Sequence, residues 1–563
     1  MKNDTVSGAE ALVEMLAANG VQYIFGLCGD TSLPFYDALH RLDHGMQHVL
    51  ARDERSAGYM AEAYAKVSGK VGVCEGPSGG GATYLLPGLV EANESSVPVL
   101  GITSDVPVTS RDRYPLTELD QQRLYGPLTK WNGTADLPSQ IPSLVRHAFR
   151  SMTTGRSGAT HLCMPYDVQK QSLEASSIWA QPGHDRAPAY RSVPAREEIE
   201  LAAELLRNAR SPVLICGGGV LASEGTAELA ALAEILQAPV CTTVTGKGTI
   251  ADSHKLAAGV VGANGGTLET RAVVQAADLV MFIGCRAGST TTENWRVPSR
   301  EVPIVHLDID PAVIGANYLV SAALVGDAKA SLAELCRILA RHHAPEGGAS
   351  RNRASEARNA KRKRLADLSV GDDKPIRPEA ILSALNRTSP AETIVVADPG
   401  TPCPYVSCYF EIRQAGRYFL TNRAHGALGY SLSAAIGAWY ARPDSKVVAI
   451  MGDGSFGFTA GELETVARLR IPLVIIVLAN STFGWIKASQ KAGYDERYFS
   501  VDFSQTDHAR IAEAYAIEAH KIVHPADLEI RMRAAFEADH PVLLDIATQP
   551  LQEAAAPVSQ WMG

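Results

Sequence analysis

Lys446-Val-Val-Ala-Ile-Met-Gly-Asp-Gly-Ser455 is the stretch that orders the rest of this chain, and Asn480 completes it 27 positions after Asp453. The run ending at Met451 is apolar and reads as a buried strand. Gly452 and Gly454 let the backbone come close to a ligand, and Asp453 supplies a hard oxygen donor. A second apolar run, Pro472-Leu-Val-Ile-Ile-Val-Leu-Ala479, delivers Asn480 from the end of a neighbouring strand. Mg²⁺ prefers near-octahedral oxygen ligands and shares some of them with phosphate or water. One carboxylate, one amide and one backbone carbonyl leave positions for a diphosphate. A Gly-Asp-Gly by itself is most often a simple turn. Its place between two strand-like runs, with an asparagine at this distance, gives it weight.

Outward from this motif, strand-like runs alternate with helix-like stretches along almost all 563 residues. This is the pattern of parallel sheets with crossover helices. Val21–Phe25, Val71–Cys74 and Val97–Thr103 read as strands, and Ala9–Asn19 and Arg55–Ser68 as helices. A proline-rich break covers Ala180 to Tyr190. Pro212–Cys216, Pro239–Thr243, Leu279–Gly284 and Ile304–Asp308 are the strands of a middle segment. From His342 to Pro375 the chain turns charged and small, and Lys361-Arg-Lys-Arg364 reads as part of a solvated linker helix. The expected fold class is α/β, with three consecutive doubly wound parallel-sheet domains. Their expected bounds are 1–180, 192–342 and 376–563, with a linker at 343–375. No repeat at a fixed short period is visible.

Composition narrows the function. Hydrophobic residues make up 46 % and charged residues 20 %, which fits large globular cores. A net charge of −9 argues against nucleic acid as a partner. No apolar run approaches the ~20 residues of a membrane span, and the opening Met1-Lys-Asn-Asp-Thr-Val-Ser7 lacks an apolar signal core. Nine cysteines without a Cys-x-x-Cys pair suit a reducing compartment, so a cytoplasmic location is expected.

The Gly-Asp-Gly and asparagine spacing resembles the signature of thiamine-diphosphate enzymes. That resemblance implies thiamine diphosphate and Mg²⁺ as cofactors, with Asp453, Asn480 and the Thr482 carbonyl as metal ligands and Gly452 and Gly454 close to the diphosphate. Other stretches are similar to the acetolactate synthase group. Ala51-Arg-Asp-Glu-Arg-Ser-Ala-Gly-Tyr-Met-Ala-Glu-Ala-Tyr-Ala-Lys66 is one, and its resemblance makes Glu54 the carboxyl that holds the cofactor's pyrimidine ring. From local sequence alone, Glu54 reads as a first-turn glutamate favoured by the helix dipole. Phe25-Gly-Leu-Cys-Gly-Asp30 and Gly76-Pro-Ser-Gly-Gly-Gly-Ala-Thr83 resemble the group's flanking turns. Ala397-Asp-Pro-Gly-Thr-Pro402 resembles its diphosphate strand end, which implies Gly400 and Thr401, with Ser455, as diphosphate contacts. Asn422-Arg-Ala-His-Gly-Ala-Leu-Gly429 places Leu428 where a large apolar residue props the two cofactor rings, beside Gly426. The three segments then correspond to pyrimidine-binding, central and diphosphate-binding domains.

The central domain of that group binds FAD structurally and persists in relatives that lack flavin. Arg156, Arg286 and Asp310 fall in matching stretches, so the resemblance leaves FAD open as a third cofactor. The implied reaction is decarboxylation of a 2-oxo acid, with pyruvate as donor and ligation to a carbonyl acceptor as in acetolactate synthase. Decarboxylation without ligation, another donor, and a non-catalytic relative are the alternatives. Departures cluster where substrate is expected: Thr117 stands at a glutamine position, Ser489 at a tryptophan position, and Asp30 and His425 are further pocket candidates. The group builds its site between subunits, so a homodimer or homotetramer is expected.

Overall fold

The structure, a computed structural model, describes residues 4–341 and 348–559. Residues 343–347, the start of the expected linker, lie outside the described residues, as do the first three residues of the opening stretch. The described residues form three six-stranded sheets, parallel throughout, and one short antiparallel pair, Thr5–Ser7 with Ser172–Glu174. Helices separate most consecutive strands, as parallel crossovers favour; in the middle sheet Val240–Thr242 and Ala257–Val260, and Ile304–Asp308 and Ala322–Val325, are joined by irregular chain instead.

The first sheet runs Gln47–Leu50, Tyr23–Gly26, Gly72–Gly76, Val99–Asp105, Thr160–Pro165, Trp131–Thr134. Numbered by appearance, this is the order 2-1-3-4-6-5. The last sheet, Phe419–Leu420, Ile394–Ala397, Val447–Gly452, Val474–Ala479, Val542–Ala547, Glu518–Ile522, has the same order. The middle sheet differs. It runs Ala257–Val260, Val240–Thr242, Pro212–Cys216, Leu279–Ile283, Ile304–Asp308, Ala322–Val325, which is 3-2-1-4-5-6, the order of dinucleotide-binding folds.

The strand runs are continuously apolar because both faces are covered. In the middle sheet Leu214, Met281 and Leu307 join one buried cluster. Their neighbours Val213, Ile215, Val280 and Phe282 join another. Val474–Ala479 lies between Val447–Gly452 and Val542–Ala547, so it is a central strand. The strand boundaries expected from sequence shift by one or two residues at most ends. An apolar pattern marks burial rather than the last ladder bond.

Contacts gather the chain into two units. One extends to Tyr190 and takes in Asn422–Asp444 and Thr459–Ile471; the other holds Arg191–Thr421, Ser445–Phe458 and the chain from Pro472 on. The break at Tyr190 coincides with the proline-rich stretch. In the first unit, the helix Glu54–Ser68 is almost wholly buried. Asp53 caps it, accepting the Arg55 N–H, and Gly69 ends it with φ 74°. The helix Ser431–Ala441 packs against it so closely that a Cβ on Gly437 would lie 2.0 Å from the Met60 carbonyl oxygen.

The expected solvated linker helix is instead a docked one. Gly348–Leu368 buries Ala354, Ala357 and Lys361, spaced to share one face. Arg358 donates to the His254 carbonyl at 2.8 Å, and Lys361 lies 3.7 Å from Asp252. Small residues among the charges give this helix a packing face that net composition conceals.

Candidate active site

In sheets of this kind ligands bind beyond the carboxyl ends of the strands, where the strand order reverses. In the last sheet that point lies between Ile394–Ala397 and Val447–Gly452. The first strand leads into Asp398 to Thr401, the second into Asp453 to Ser455. The two turns are tied together: the Ser455 hydroxyl donates to Asp398 Oδ2 at 2.6 Å. That hydroxyl proton is therefore engaged within the protein. Thr401 is buried ahead of the helix Pro402–Tyr409, and Gly400 is half-buried.

Asp453 is 5 % exposed. Its Oδ2 accepts the N–H groups of Asn480 at 2.7 Å and Ser481 at 2.5 Å, and its Oδ1 accepts that of Gly454 at 2.9 Å. The carboxylate thus fixes the start of the Asn480 turn, where Ser481 has φ 56°. Burial raises the Asp453 pKa against these three donors. Gly454 has no room for a side chain, since a Cβ would lie 2.7 Å from the Phe483 ring, whereas nothing stands within 4 Å of one on Gly452. Thr482 is buried, its hydroxyl donating to the Val501 carbonyl at 3.0 Å, while Asn480 is half-buried. Oxygen donors of carboxylate, amide and carbonyl type, beside open space over a glycine, fit a hard divalent cation with a diphosphate.

In the first sheet the reversal lies between Tyr23–Gly26 and Gly72–Gly76. Asp30, exposed, follows the first strand and the turn Pro77 to Gly81 follows the second. Glu54 opens its helix, 7 % exposed, and rests on that turn: a Cβ on Gly81 would lie 3.0 Å from Glu54 Oε1. Burial raises the Glu54 pKa, and Asp53 adds to the effect. A carboxyl whose neutral form is favoured by burial suits proton exchange with a ring nitrogen. Thr117 approaches the same turn, with its Cβ 2.7 Å from one built on Gly79. Leu428 is half-buried in a turn with exposed His425 and Gly426, the latter at φ 74°.

Three family models match in order: the N-terminal thiamine pyrophosphate binding domain of these enzymes over residues 6–124, their central domain over 199–335, and their C-terminal thiamine pyrophosphate binding domain over 398–546. The probable acetolactate synthase large subunit of Methanococcus aeolicus is 36 % identical over 97 % of this chain and 92 % of its own length. That of Methanocaldococcus jannaschii is 35 % identical, over 97 % and 93 %. The acetolactate synthase of Mycobacterium bovis is 33 % identical, over 96 % and 88 %. The chain belongs to the acetolactate synthase-like group of thiamine-diphosphate enzymes.

For a chain of this group the flavin-stretch residues have their own local partners. Arg156 donates to the Ser96 hydroxyl at 3.0 Å. Asp310 accepts the Ala312 N–H at 3.0 Å, shaping the turn after Ile304–Asp308. Arg286 is exposed just past Leu279–Ile283, and its carbonyl accepts from Asn317 at 3.2 Å. Of the departures from the acetolactate synthase pattern, Ser489 bonds back to the Trp485 carbonyl at 3.0 Å, and Trp485 packs against the core.

Two buried clusters were not anticipated from sequence. In the first, Lys66 pairs with Glu62 and lies 3.8 Å from Glu91. Burial alone would pull the Lys66 pKa down, but the two carboxylates outweigh it. Glu62 accepts the Tyr430 hydroxyl at 2.8 Å, and Glu91 accepts the His425 N–H at 2.7 Å. The cluster therefore anchors the turn that carries His425, Gly426 and Leu428. Its sequence signal is a Glu–Lys pair at i,i+4 on a helix otherwise rich in alanine and aromatic residues. Lys66→Met is expected to cost about 3–5 kcal/mol by leaving two buried carboxylates without their cation. Calorimetric melting of the variant checks this, and an unchanged melting temperature would contradict it.

The second cluster is Glu75, 1 % exposed, which accepts the Tyr36 hydroxyl at 2.7 Å. That hydroxyl also meets His48 Nε2 at 2.9 Å. Burial, reinforced by Glu54, pushes the Glu75 pKa up to about 8 from an ordinary 4.5. Between those two values the folded chain holds a proton that the unfolded chain releases. The stability contributed here is therefore full below pH 4.5 and lost as pH rises towards 8. Glu75→Gln is expected to melt progressively higher than the wild type as pH rises through that window. A constant difference between the two proteins across it would count against this.

Proposed function

We propose that this enzyme decarboxylates a 2-oxo acid, with pyruvate as donor, and joins the fragment to a carbonyl acceptor, as acetolactate synthase does. The buried Glu54 at the reversal point of the first sheet, its pKa raised by burial, is the observation that supports catalysis most. Bound thiamine diphosphate would supply the carbon nucleophile and electron sink that a 2-oxo acid needs in order to lose CO₂. Glu54 would hold or give a proton at the pyrimidine ring through its carboxyl. Asp453, Asn480 and the Thr482 carbonyl would hold Mg²⁺. Gly400, Thr401, Gly452, Gly454 and Ser455 would bind the diphosphate, with backbone N–H groups as donors. Leu428 and Gly426 would shape the cofactor's bend, Leu428 as a packed prop. Thr117, Asp30 and His425 would face the substrate.

FAD belongs to the same reading as an expectation for the middle domain. Its 3-2-1-4-5-6 strand order supports a dinucleotide there, and Arg286 and Asp310 lie past the ends of two of its strands, Leu279–Ile283 and Ile304–Asp308. Arg156 is the third flavin residue in this reading. A homodimer or homotetramer with shared sites and a cytoplasmic location complete it. Among the described residues, no helix is long and apolar enough to cross a membrane.

The test is turnover of pyruvate by purified protein with thiamine diphosphate and Mg²⁺, with the product identified. Acetolactate is expected. Acetaldehyde would favour a decarboxylase, and turnover only of other 2-oxo acids would reassign the donor. Absence of turnover with the cofactor bound would reject the reading. A yellow protein with a flavin spectrum would support FAD.

A further inference from the structure

Four hydroxyls form a line that the reaction as described does not use. Ser104 Oγ lies 2.8 Å from Thr31 Oγ1, which donates to Ser78 Oγ at 3.0 Å. Ser78 Oγ lies 2.7 Å from Thr117 Oγ1, and Thr117 donates to the Leu116 carbonyl at 2.5 Å. The Ser78 N–H also donates to Thr31 Oγ1 at 3.1 Å. A hydroxyl has one proton and two lone pairs. Thr31 spends its proton on Ser78, so Ser104 must be the donor to Thr31. Thr117 spends its own on Leu116, so Ser78 must be the donor to Thr117. The line is directional, from buried Ser104 to exposed Thr117. Both Thr31 lone pairs are then filled, while Thr117 keeps one free.

The Thr117 backbone is strained to make this arrangement. Its φ is 72°, a conformation that a β-branched residue rarely holds. Such strain persists where the surroundings over-determine it. Thr117 also shares the Pro77 to Gly81 turn with Glu54, one approaching Gly79 and the other Gly81. Both side chains therefore border one small region of the first unit.

We propose that Ser104, Thr31 and Ser78 set Thr117 as a hydrogen-bond acceptor that selects 2-oxo acid substrates carrying a hydroxyl donor. This rests on the reaction class proposed above and departs from it in the donor's side chain. A methyl group, as in pyruvate, makes no hydrogen bond to Thr117. A hydroxymethyl group fills the Thr117 lone pair without disturbing any link of the line. Ser78, Thr31 and Ser104 act through Thr117 and are positioning residues.

The experiment compares kcat/KM for hydroxypyruvate and pyruvate in the holoenzyme and in Ser78→Ala, Ser104→Ala and Thr117→Val. The last keeps the branched shape and loses only the hydroxyl. The wild type is expected to favour hydroxypyruvate, and the ratio is expected to fall about tenfold in Thr117→Val and Ser78→Ala. A smaller fall is expected in Ser104→Ala, two links further back. If the hydroxyls merely brace the loop, both substrates suffer equally and the ratio stays constant across all four proteins. That result overturns the inference, as does a wild type that favours pyruvate. Should Ser78→Ala fail to fold, the other two variants carry the comparison. Failure to consume any 2-oxo acid with cofactor bound rejects the reaction class, and the inference with it; turnover at a constant ratio rejects the inference alone.

Discussion

Glu54→Gln is expected to lower kcat by about 10²–10⁴-fold, the span of a positioned acid–base group, while thiamine diphosphate remains bound. Glutamine preserves the length and buried shape of the side chain. It removes the carboxyl proton that burial keeps in place above the ordinary glutamate range. Because Glu54 Oε1 lies against Gly81 and its Cγ against Gly76, the variant has little freedom to move aside. Calorimetric titration with the cofactor separates loss of chemistry from loss of binding. Wild-type turnover by the variant would remove Glu54 from the mechanism. Cofactor that no longer binds would give it a holding role alone.

Asp453→Ala is expected to abolish Mg²⁺-dependent cofactor binding and also to weaken the chain without cofactor. The second effect follows from the hydrogen bonds. Three backbone N–H groups, those of Gly454, Asn480 and Ser481, converge on this carboxylate. Hydrogen bonds to a charged group contribute about 1.5–3 kcal/mol each, although water can recover part of the loss. A drop of several degrees in melting temperature before any cofactor is added is therefore expected. Asp453→Asn is the informative companion. It retains one acceptor oxygen for the turn but discards the charge that a cation needs. Binding of the cofactor to Asp453→Ala at wild-type affinity would exclude Asp453 as a ligand.

The strands were legible in the sequence because a buried parallel strand is a short unbroken apolar run, as at Pro212–Cys216. Asp453 and Asn480 were legible because both lie within a few residues of such runs. Glu54 was not legible from physics alone. A first-turn glutamate looks like an ordinary dipole partner until the Gly-rich turn that covers it is seen. Glu75 and the Glu62–Lys66–Glu91 cluster escaped notice for a similar reason. Their burial depends on elements distant in sequence, such as the helix Ser431–Ala441 set against Glu54–Ser68. The linker helix misled for the opposite reason, since charged composition concealed three small or long-stemmed residues on one face. The hydroxyl line was invisible because Thr31, Ser78, Ser104 and Thr117 are each unremarkable residues, 13 to 47 positions from their nearest neighbour in the set.

The shared 2-1-3-4-6-5 order of the first and last sheets has a consequence for how such a chain can change. Both sheets present a pair of turns at the same two addresses, after the first and the third strand. In one the third-strand turn is glycine-rich and cushions a carboxyl; in the other it carries Asp453. The frameworks are interchangeable in plan while their cargo is unlike. Novel reactivity can thus arise from rewriting a handful of turn residues on either chassis, without redrawing a single strand connection.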